Sequence, residues 1–304
     1  MTLRLGLYLP TWHLAGGGAS AWPELRSLAR DAESLGVDTL WVADEPGIAW
    51  ECWTILSALA EATERVRIGP LVTCTRYREP ALLATMARTL DEVSGGRLVL
   101  GLGSGVGPGD GRWPAFGWDA ANHVSRFGEA VEIVARLLHD GPIAFEGRFY
   151  RLAPPGPSLG PADARPAPPI WVAGARPRTM AVAARWGDAV NGGSALTDAV
   201  SVGALRTAVD AACASVGRDP ASIALTGWTR LAVSADGRLG RERDDTIAGT
   251  VEEVAGRLLE VHRTGVEHLT CFVGDETDER AFPALTRDAL ERFAAVVEAV
   301  RAAG

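Results

Sequence analysis

Apolar positions along this chain switch repeatedly between two spacings. Leu3 to Leu9 (LRLGLYL) reads as a strand, and Leu25, Leu28, Ala29, Ala32 and Leu35 then recur at helical spacing, with Pro23 near the start and Gly36 past the end. Thr39 to Ala43 (TLWVA) is a short buried strand ending at Asp44-Glu45. A helix through Trp53 to Ala62 follows, then a strand from Val66 to about Cys74. After Pro80 a helix carries Leu83, Met86, Ala87 and Leu90 on one face until Ser94-Gly95-Gly96 stops it, and Arg97 to Gly103 (RLVLGLG) is the fourth strand.

The middle is less regular. Ser104 to Asn122 is rich in Gly and Trp without helical period and reads as a long loop. Phe127, Ala130, Val131, Val134 and Leu138 mark a fourth helix, and Ile143 to Leu152 reads as a hairpin turning at Glu146-Gly147. Ala153 to Pro169 carries seven prolines, which forbids helix or central strand and predicts a surface excursion. Alternation then resumes: strands at Ile170 to Ala173, Ala189 to Asn191, about Ser222 to Trp228, and Glu267 to Val273. Helices at Arg178 to Trp186, Leu205 to Val216, Val251 to Val261 and Leu285 to Val300 separate and follow them. Eight strands, each followed by a helix, predict an α/β chain folded as a (β/α)8 TIM barrel with insertions, in one domain over 1–304 with excursions at about 104–122 and 141–169. The run Gly101-Leu102-Gly103-Ser104-Gly105 follows the fourth strand, not the first, and lacks the G-x-G-x-x-G spacing, so a dinucleotide-binding open sheet is the weaker reading.

Composition narrows the chemistry. All 30 basic residues are Arg, against 38 acidic ones, for a net charge of -8; with neither Lys nor Gln in the chain, a Schiff base or a P-loop Lys is excluded. There is neither the basic excess nor the basic run of a nucleic-acid binder. No apolar stretch is read as a membrane span, and the N-terminus opens directly into a strand, so a cytoplasmic protein with no membrane partner is expected. Cys52, Cys74, Cys213 and Cys271 are scattered without a CxxC pair and are expected as buried free thiols, with no metal site.

In such a barrel the chemistry lies at the C-terminal ends of the strands. The residues expected there include His13, Asp44 and Glu45, Val72 to Cys74, Gly103 and Ser104, Gly174 to Thr179, Asn191 to Ser194, and Trp228. They offer glycine, amides, small hydroxyls and aromatic rings rather than a hydrolase's elbow or a metal cluster, which suits a cofactor that brings its own reactivity. The most specific stretch is Gly174-Ala175-Arg176-Pro177-Arg178-Thr179, joining a strand to a helix whose N-terminal amides attract phosphate; a plain turn with solvated arginines fits the same residues.

Several runs resemble the bacterial luciferase-like oxidoreductases, barrel enzymes that use FMN or the deazaflavin coenzyme F420. They are LGVDTLWVAD (35–44), IGPLVTCTRYREPALLATMARTLDEVSGGRLVLGLGSG (68–105), SRFGEAVEIVARLL (125–138), PPIWVAGARPRTMAVAARWGDAVNGG (168–193) and GVEHLTCFV (265–273). The actinobacterial F420-dependent branch is the nearest in pattern. The resemblance implies that Gly174, Ala175 and Thr179 hold a cofactor phosphate, flanked by Asn191, Gly192 and Gly193. It places Asp44 by the pyrimidine side of the ring system and a non-prolyl cis peptide at Leu71-Val72, with Thr73 and Ser104 close to the ring. It also implies a small organic substrate, a flavin or F420 reductase as a partner, and a homodimer.

Two departures matter. Some F420-dependent relatives carry a His directly after the Asp of the second strand, where this chain has Glu45. Some carry a Glu or Trp after the glycine run of the fourth strand, where it has Val106. A mechanism built on that His/Glu pair does not transfer, which argues against a sugar-phosphate dehydrogenase. Glu45 and His13 are the candidate proton-handling groups, each weighed against a solvated loop residue. His123 is read as structural or capping, and His139, His262 and His268 as structural. Trp12, Trp50, Trp113 and Trp118 are expected at the rim, and Trp41 and Trp171 in the core. The expected activity is hydride transfer between F420 and a small organic substrate. The alternatives are a monooxygenase using reduced FMN and O2, and a non-catalytic flavin-binding barrel.

Overall fold

Eight parallel strands alternate with eight helices in this computed structural model, which describes residues 2–14, 21–105, 112–159, 166–235, 244–274 and 285–304. The barrel strands are β1 (Arg4–Tyr8), β2 (Thr39–Val42), β3 (Arg67–Pro70, continued by Thr73–Cys74), β4 (Leu100–Gly103), β5 (Ile170–Gly174), β6 (Ala189–Ala195), β7 (Ala224–Val233) and β8 (Val266–Val273). The barrel helices are α1 (Ala21–Ser34), α2 (Cys52–Ala62), α3 (Pro80–Val93), α4 (His123–His139), α5 (Pro177–Trp186), α6 (Ala199–Val216), α7 (Val251–Arg263) and α8 (Arg287–Ala303). The parallel ladder runs β3-β2-β1-β8-β7-β6-β5-β4. It closes where Thr73 pairs with Leu102 and where an isolated bridge joins Ile68 to Leu98. The (β/α)8 TIM barrel expected from the alternation is therefore the observed fold.

Alternation along each strand sorts the core into two shells. Outward positions such as Leu5, Leu7, Leu40 and Ile68 pack against helix faces including Leu25, Leu28 and Ala32 of α1 and Leu83, Ala84 and Ala87 of α3. A smaller inner cluster holds Trp41, Leu71, Val99, Trp171 and Ala189, with Tyr8 packed against it. Trp41 is fully buried and Trp171 nearly so, as expected of strand residues. Two glycines permit the closure: a Cβ on Gly69 would lie 2.2 Å from the Val99 carbonyl oxygen, and one on Gly101 would lie 2.2 Å from that of Pro70.

Several local expectations are corrected. The hairpin pairs Phe145–Glu146 with Arg151–Leu152, so its turn is 147–150 and not Glu146-Gly147, because Glu146 is itself paired with Arg151. The stretch read as an uninterrupted loop over 104–122 contains a helical turn at Arg112–Ala115, packed by the buried Trp113. β7 continues to Val233, and a short strand at Thr246–Gly249 runs parallel beside that extension. By length and composition α6 also passes for a membrane span, with 18 residues and a mean hydropathy of 1.3, against the expectation that no stretch would. In the fold it is a barrel helix that buries Val202, Leu205, Val209, Ala212 and Cys213. All four cysteines are buried free thiols.

Candidate functional site

The strand ends open into a cavity of about 920 Å3. Asp44 and Glu45 enter it from β2, Leu71 and Val72 from the break in β3, and Gly103 and Ser104 from β4. Gly174 to Thr179 enter from the β5–α5 turn and Gly193 from β6. A smaller chamber of about 350 Å3 shares Tyr8, Leu71, Val72, Ala173 and Gly193 and adds Asn191, Gly192, Trp228, Arg230 and Phe272. Of the residues singled out in the sequence, Thr73 is not on either wall. The His13 side chain and Val106 lie outside what the structure describes, although the backbone of His13 belongs to a helical turn at Thr11–Leu14.

Leu71-Val72 is a cis peptide, and it divides β3 at the middle of the cavity. The Tyr8 hydroxyl donates to the Leu71 carbonyl there. Tyr8 lies between Trp12 and Phe272, with ring centroids 5.1 and 4.5 Å away. Burial, then the negative field of Glu45, pushes the Tyr8 phenol well above its ordinary pKa, so the hydroxyl keeps its proton.

Beside the bulge, Asp44 is buried and gripped by Arg78, with Nη1 2.6 Å from Oδ2 and Nη2 3.1 Å from Oδ1. Thr73 donates its hydroxyl to the same Oδ2 and receives the Trp53 indole N–H at 3.1 Å. This is why Thr73 does not face the cavity: its hydroxyl is committed to Asp44. Arg78 also holds Glu51 at 2.6 Å, and Glu51 caps α2 by accepting from the amides of Trp53 and Thr54. Burial alone would raise the Glu51 carboxyl, but the bonds from Thr54 and Arg78 outweigh it and hold the carboxyl below its usual range. Burial likewise opposes the Arg78 charge, and the two carboxylates more than reverse that effect. Asp44 is thus a fixed, paired anion rather than a mobile base. Glu45, next along, accepts the Trp12 indole N–H at 2.7 Å.

At the opposite end, α5 starts at Pro177 behind the N-cap Arg176. The Thr179 hydroxyl donates to the Arg176 carbonyl at 2.9 Å and accepts from the Arg176 amide at 3.3 Å, fixing the turn. A guanidinium has no acceptor, so the N-cap side chain cannot satisfy the amides of Arg178 and Thr179, and they remain suited to an anion. Arg178 is held across the mouth by a 2.6 Å bond to Ser125 of α4. Among Arg76, Arg78, Arg176, Arg178 and Arg185, only Arg176 and Arg178 line this cavity. Arg78 is paired as described, while Arg185 and Arg76 border separate depressions. His123, read as structural, also lines the cavity, and its ring stands edge-on to Trp113 at 5.8 Å.

Tyr8 was the main wall residue missed. The alternation Leu5-Gly6-Leu7-Tyr8 carried the signal, since the leucines face the helices and leave Gly6 and Tyr8 to the barrel interior. The Arg78–Asp44 pair spans 34 positions and leaves no local trace. Among the described residues no cluster of three or more His, Cys, Asp or Glu could hold a metal ion.

A parallel barrel whose deep strand-end cavity is met by the N-terminus of α5 and lined by a cis peptide of β3 defines a class of TIM-barrel protein with room for a large ligand. The chain is a member of the luciferase-like monooxygenase family, whose family model matches residues 3–242. It is 29% identical over 194 residues to a 4-hydroxyprotoasukamycin monooxygenase of Streptomyces nodosus subsp. asukaensis, covering 62% of this chain and 52% of that one. It is 32% identical over 172 residues to an F420-dependent glucose-6-phosphate dehydrogenase of Intrasporangium calvum, covering 52% and 49%. The chain therefore spans about half the length of these relatives. A solved F420-dependent secondary alcohol dehydrogenase, in complex with an F420–acetone adduct, shares the fold with a TM-score of 0.75 at 18% identity, covering 99% of this chain and all of that one.

Proposed function

We propose that this protein is an oxidoreductase that transfers a hydride between coenzyme F420 and a small organic substrate. The observation that carries the choice of cofactor is the exposed pair Arg176 and Arg178 at the mouth of the phosphate cradle. FMN ends at its phosphate, whereas F420 continues beyond it into a negatively charged tail that such a mouth would receive. The cradle itself suits either: a Cβ on Gly193 would lie 2.5 Å from that of Ala175, so only a glycine lets that strand end close against the turn.

In this reading Gly174, Ala175 and Thr179 hold the phosphate, with Gly193 beside them, while Asn191 and Gly192 border the adjoining chamber. Leu71 and Val72 back the ring system and Ser104 flanks it. When bound, the deazaflavin supplies a carbon that donates or accepts hydride. Asp44, immobilised by Arg78 and Thr73, presents a fixed negative charge to the ring's polar edge. Tyr8 keeps its proton and its bond to Leu71, so it holds the bulge in place and shields it from water. Glu45 orients the substrate or moves a proton to or from its oxygen, steadied by Trp12. The aromatic chamber of Trp228 and Phe272 takes the apolar part of the substrate. Protein groups here fix geometry and meet developing charge rather than forming bonds.

The test is an anaerobic titration of the full chain with F420 and with FMN, each oxidised and reduced, followed by absorbance and fluorescence. Tight binding of F420 with weak or no binding of FMN is expected, together with loss of affinity in Arg178→Gln. Preference for reduced FMN would replace hydride transfer by oxygen chemistry. Failure of both to bind would overturn the cofactor site at Gly174 to Thr179.

A further inference from the structure

A separate cavity of about 350 Å3 lies between the start of α3, the middle of α4 and the hairpin, and shares no lining residue with the cofactor cavity. Arg76 and Arg126 face each other's segments across it, with Tyr150, Ile133 and Leu152 as apolar and aromatic wall. The roof is anchored rather than loose: Glu129 of α4 accepts from the amides of Arg148, Phe149 and Tyr150 at 2.9, 2.9 and 3.1 Å.

The charge in this space is unbalanced. Arg151 is tied to Glu146 across the hairpin, which leaves Glu79, among the described residues, as the one acidic side chain on the wall against Arg76 and Arg126. The Nε atoms of Arg76 and Arg126 are both buried with no hydrogen-bond partner among the described residues. A buried guanidinium N–H without an acceptor is costly, and two such arginines lining one cavity favour a negative charge there. Arg126 lies over the Phe149 ring, 4.6 Å from its centroid, which fixes where its donors point. The apolar walls would leave a bare inorganic anion poorly matched, and they suit an anion with a hydrocarbon body.

We infer that this cavity binds a small organic carboxylate, with its carboxylate against the guanidinium groups of Arg76 and Arg126 and its apolar or aromatic body against Tyr150, Ile133 and Leu152. The site is independent of which cofactor the barrel takes. It is carried by the same two segments that wall the main cavity, since Tyr77 follows Arg76 and His123 lies one turn before Arg126.

Calorimetric titration of the full chain with benzoate tests it, with benzyl alcohol and inorganic phosphate as comparators. One benzoate site is expected, at least tenfold tighter than either comparator. Arg76→Gln and Arg126→Gln should each weaken it at least tenfold, and Arg178→Gln should leave it within twofold. Arg126→Lys keeps the charge and stem; it serves where a Gln variant does not fold and should still weaken benzoate several-fold by removing the planar fork of guanidinium donors. No heat with benzoate, equal binding of benzyl alcohol, or loss of binding in Arg178→Gln with Arg126→Lys unaffected would each overturn the assignment; the last would place benzoate at the phosphate cradle instead.

Discussion

Arg78 meets Asp44 through both terminal nitrogens and reaches Glu51 with the same Nη2, so one guanidinium ties the end of β2 to the cap of α2. The pair is buried, with side-chain exposures of 14% and 2%. Arg78→Met would leave the Asp44 charge buried with Thr73 as its remaining partner in this network, and breaking such a pair costs about 3–5 kcal/mol. Asp44→Asn keeps a partner for Thr73 and leaves Arg78 on Glu51, so its cost is expected nearer about 1.5–3 kcal/mol. Urea unfolding of the two variants checks the order. A larger loss in Asp44→Asn than in Arg78→Met would show that Arg78 is not the residue holding the site together.

Gly193 and Ala175 set how closely the end of β6 approaches the β5–α5 turn, where the phosphate is proposed to bind. A Cβ at Gly193 would come within 2.5 Å of the Ala175 Cβ, closer than side chains approach. Gly193→Ala must therefore displace the β5–α5 turn, with an overpacking cost of about 1–3 kcal/mol. Because the turn carries the cradle, cofactor affinity should fall at least tenfold while the far end of the barrel is unchanged. Fluorescence titration reads the affinity and the urea midpoint reads the stability. Unchanged affinity at reduced stability would separate Gly193 from the cradle.

Thr179 spends its hydroxyl on the backbone of Arg176 rather than reaching outward, which makes it a brace for the turn. Thr179→Val preserves shape and removes both bonds; the loss of a cap of this kind costs about 1 kcal/mol. Thr179→Ser should restore both the stability and the cofactor affinity. If Ser failed to rescue, the methyl group rather than the hydroxyl would be the part that matters.

How much of this was readable in advance depends on the range over which each feature is encoded. The eight βα units were legible because each is written in contiguous periodicity, as in Leu83, Ala87 and Leu90 of α3 or the apolar run of β8. The β5–α5 turn was legible because strand, Gly174 and Pro177 at the helix start are neighbours in the chain. That the Thr73 hydroxyl turns to Asp44 and Trp53 was not legible, because these partners come from two other segments and nothing local says which way a bulged strand turns its hydroxyl. The extension of β7 to Val233 was hidden for a related reason: Thr246–Gly249 pairs with it from beyond an intervening segment. The turn at Arg112–Ala115 is too short for a period to show.

His268 sits inside the barrel between two indoles, with ring centroids 4.9 Å from Trp171 and 5.7 Å from Trp41. Its Nε2 meets the Thr39 hydroxyl at 3.2 Å, and its Nδ1 is buried without a partner among the described residues. Burial first, and then the positive fields of Arg67 and Arg4, lowers its pKa from 6.5 to about 3. The folded protein therefore holds a neutral imidazole where the unfolded chain would accept a proton. Its contribution to stability is complete above the unfolded value and is lost as pH falls towards the folded one. At pH 5 the loss from this group alone should be about 2 kcal/mol relative to pH 7.5. Carboxylates held below their usual range, such as Glu33 and Glu51, act in the same direction but at lower pH, so the interval from pH 7.5 to 5 isolates the histidine. His268→Gln removes the titration while keeping a polar group opposite Thr39. Its stability should be nearly flat across that interval, whatever its absolute value, while the parent protein declines. Parallel profiles for the two proteins, measured by urea unfolding, would mean that the His268 ring is protonated in the folded barrel and that the space around its Nδ1 admits water.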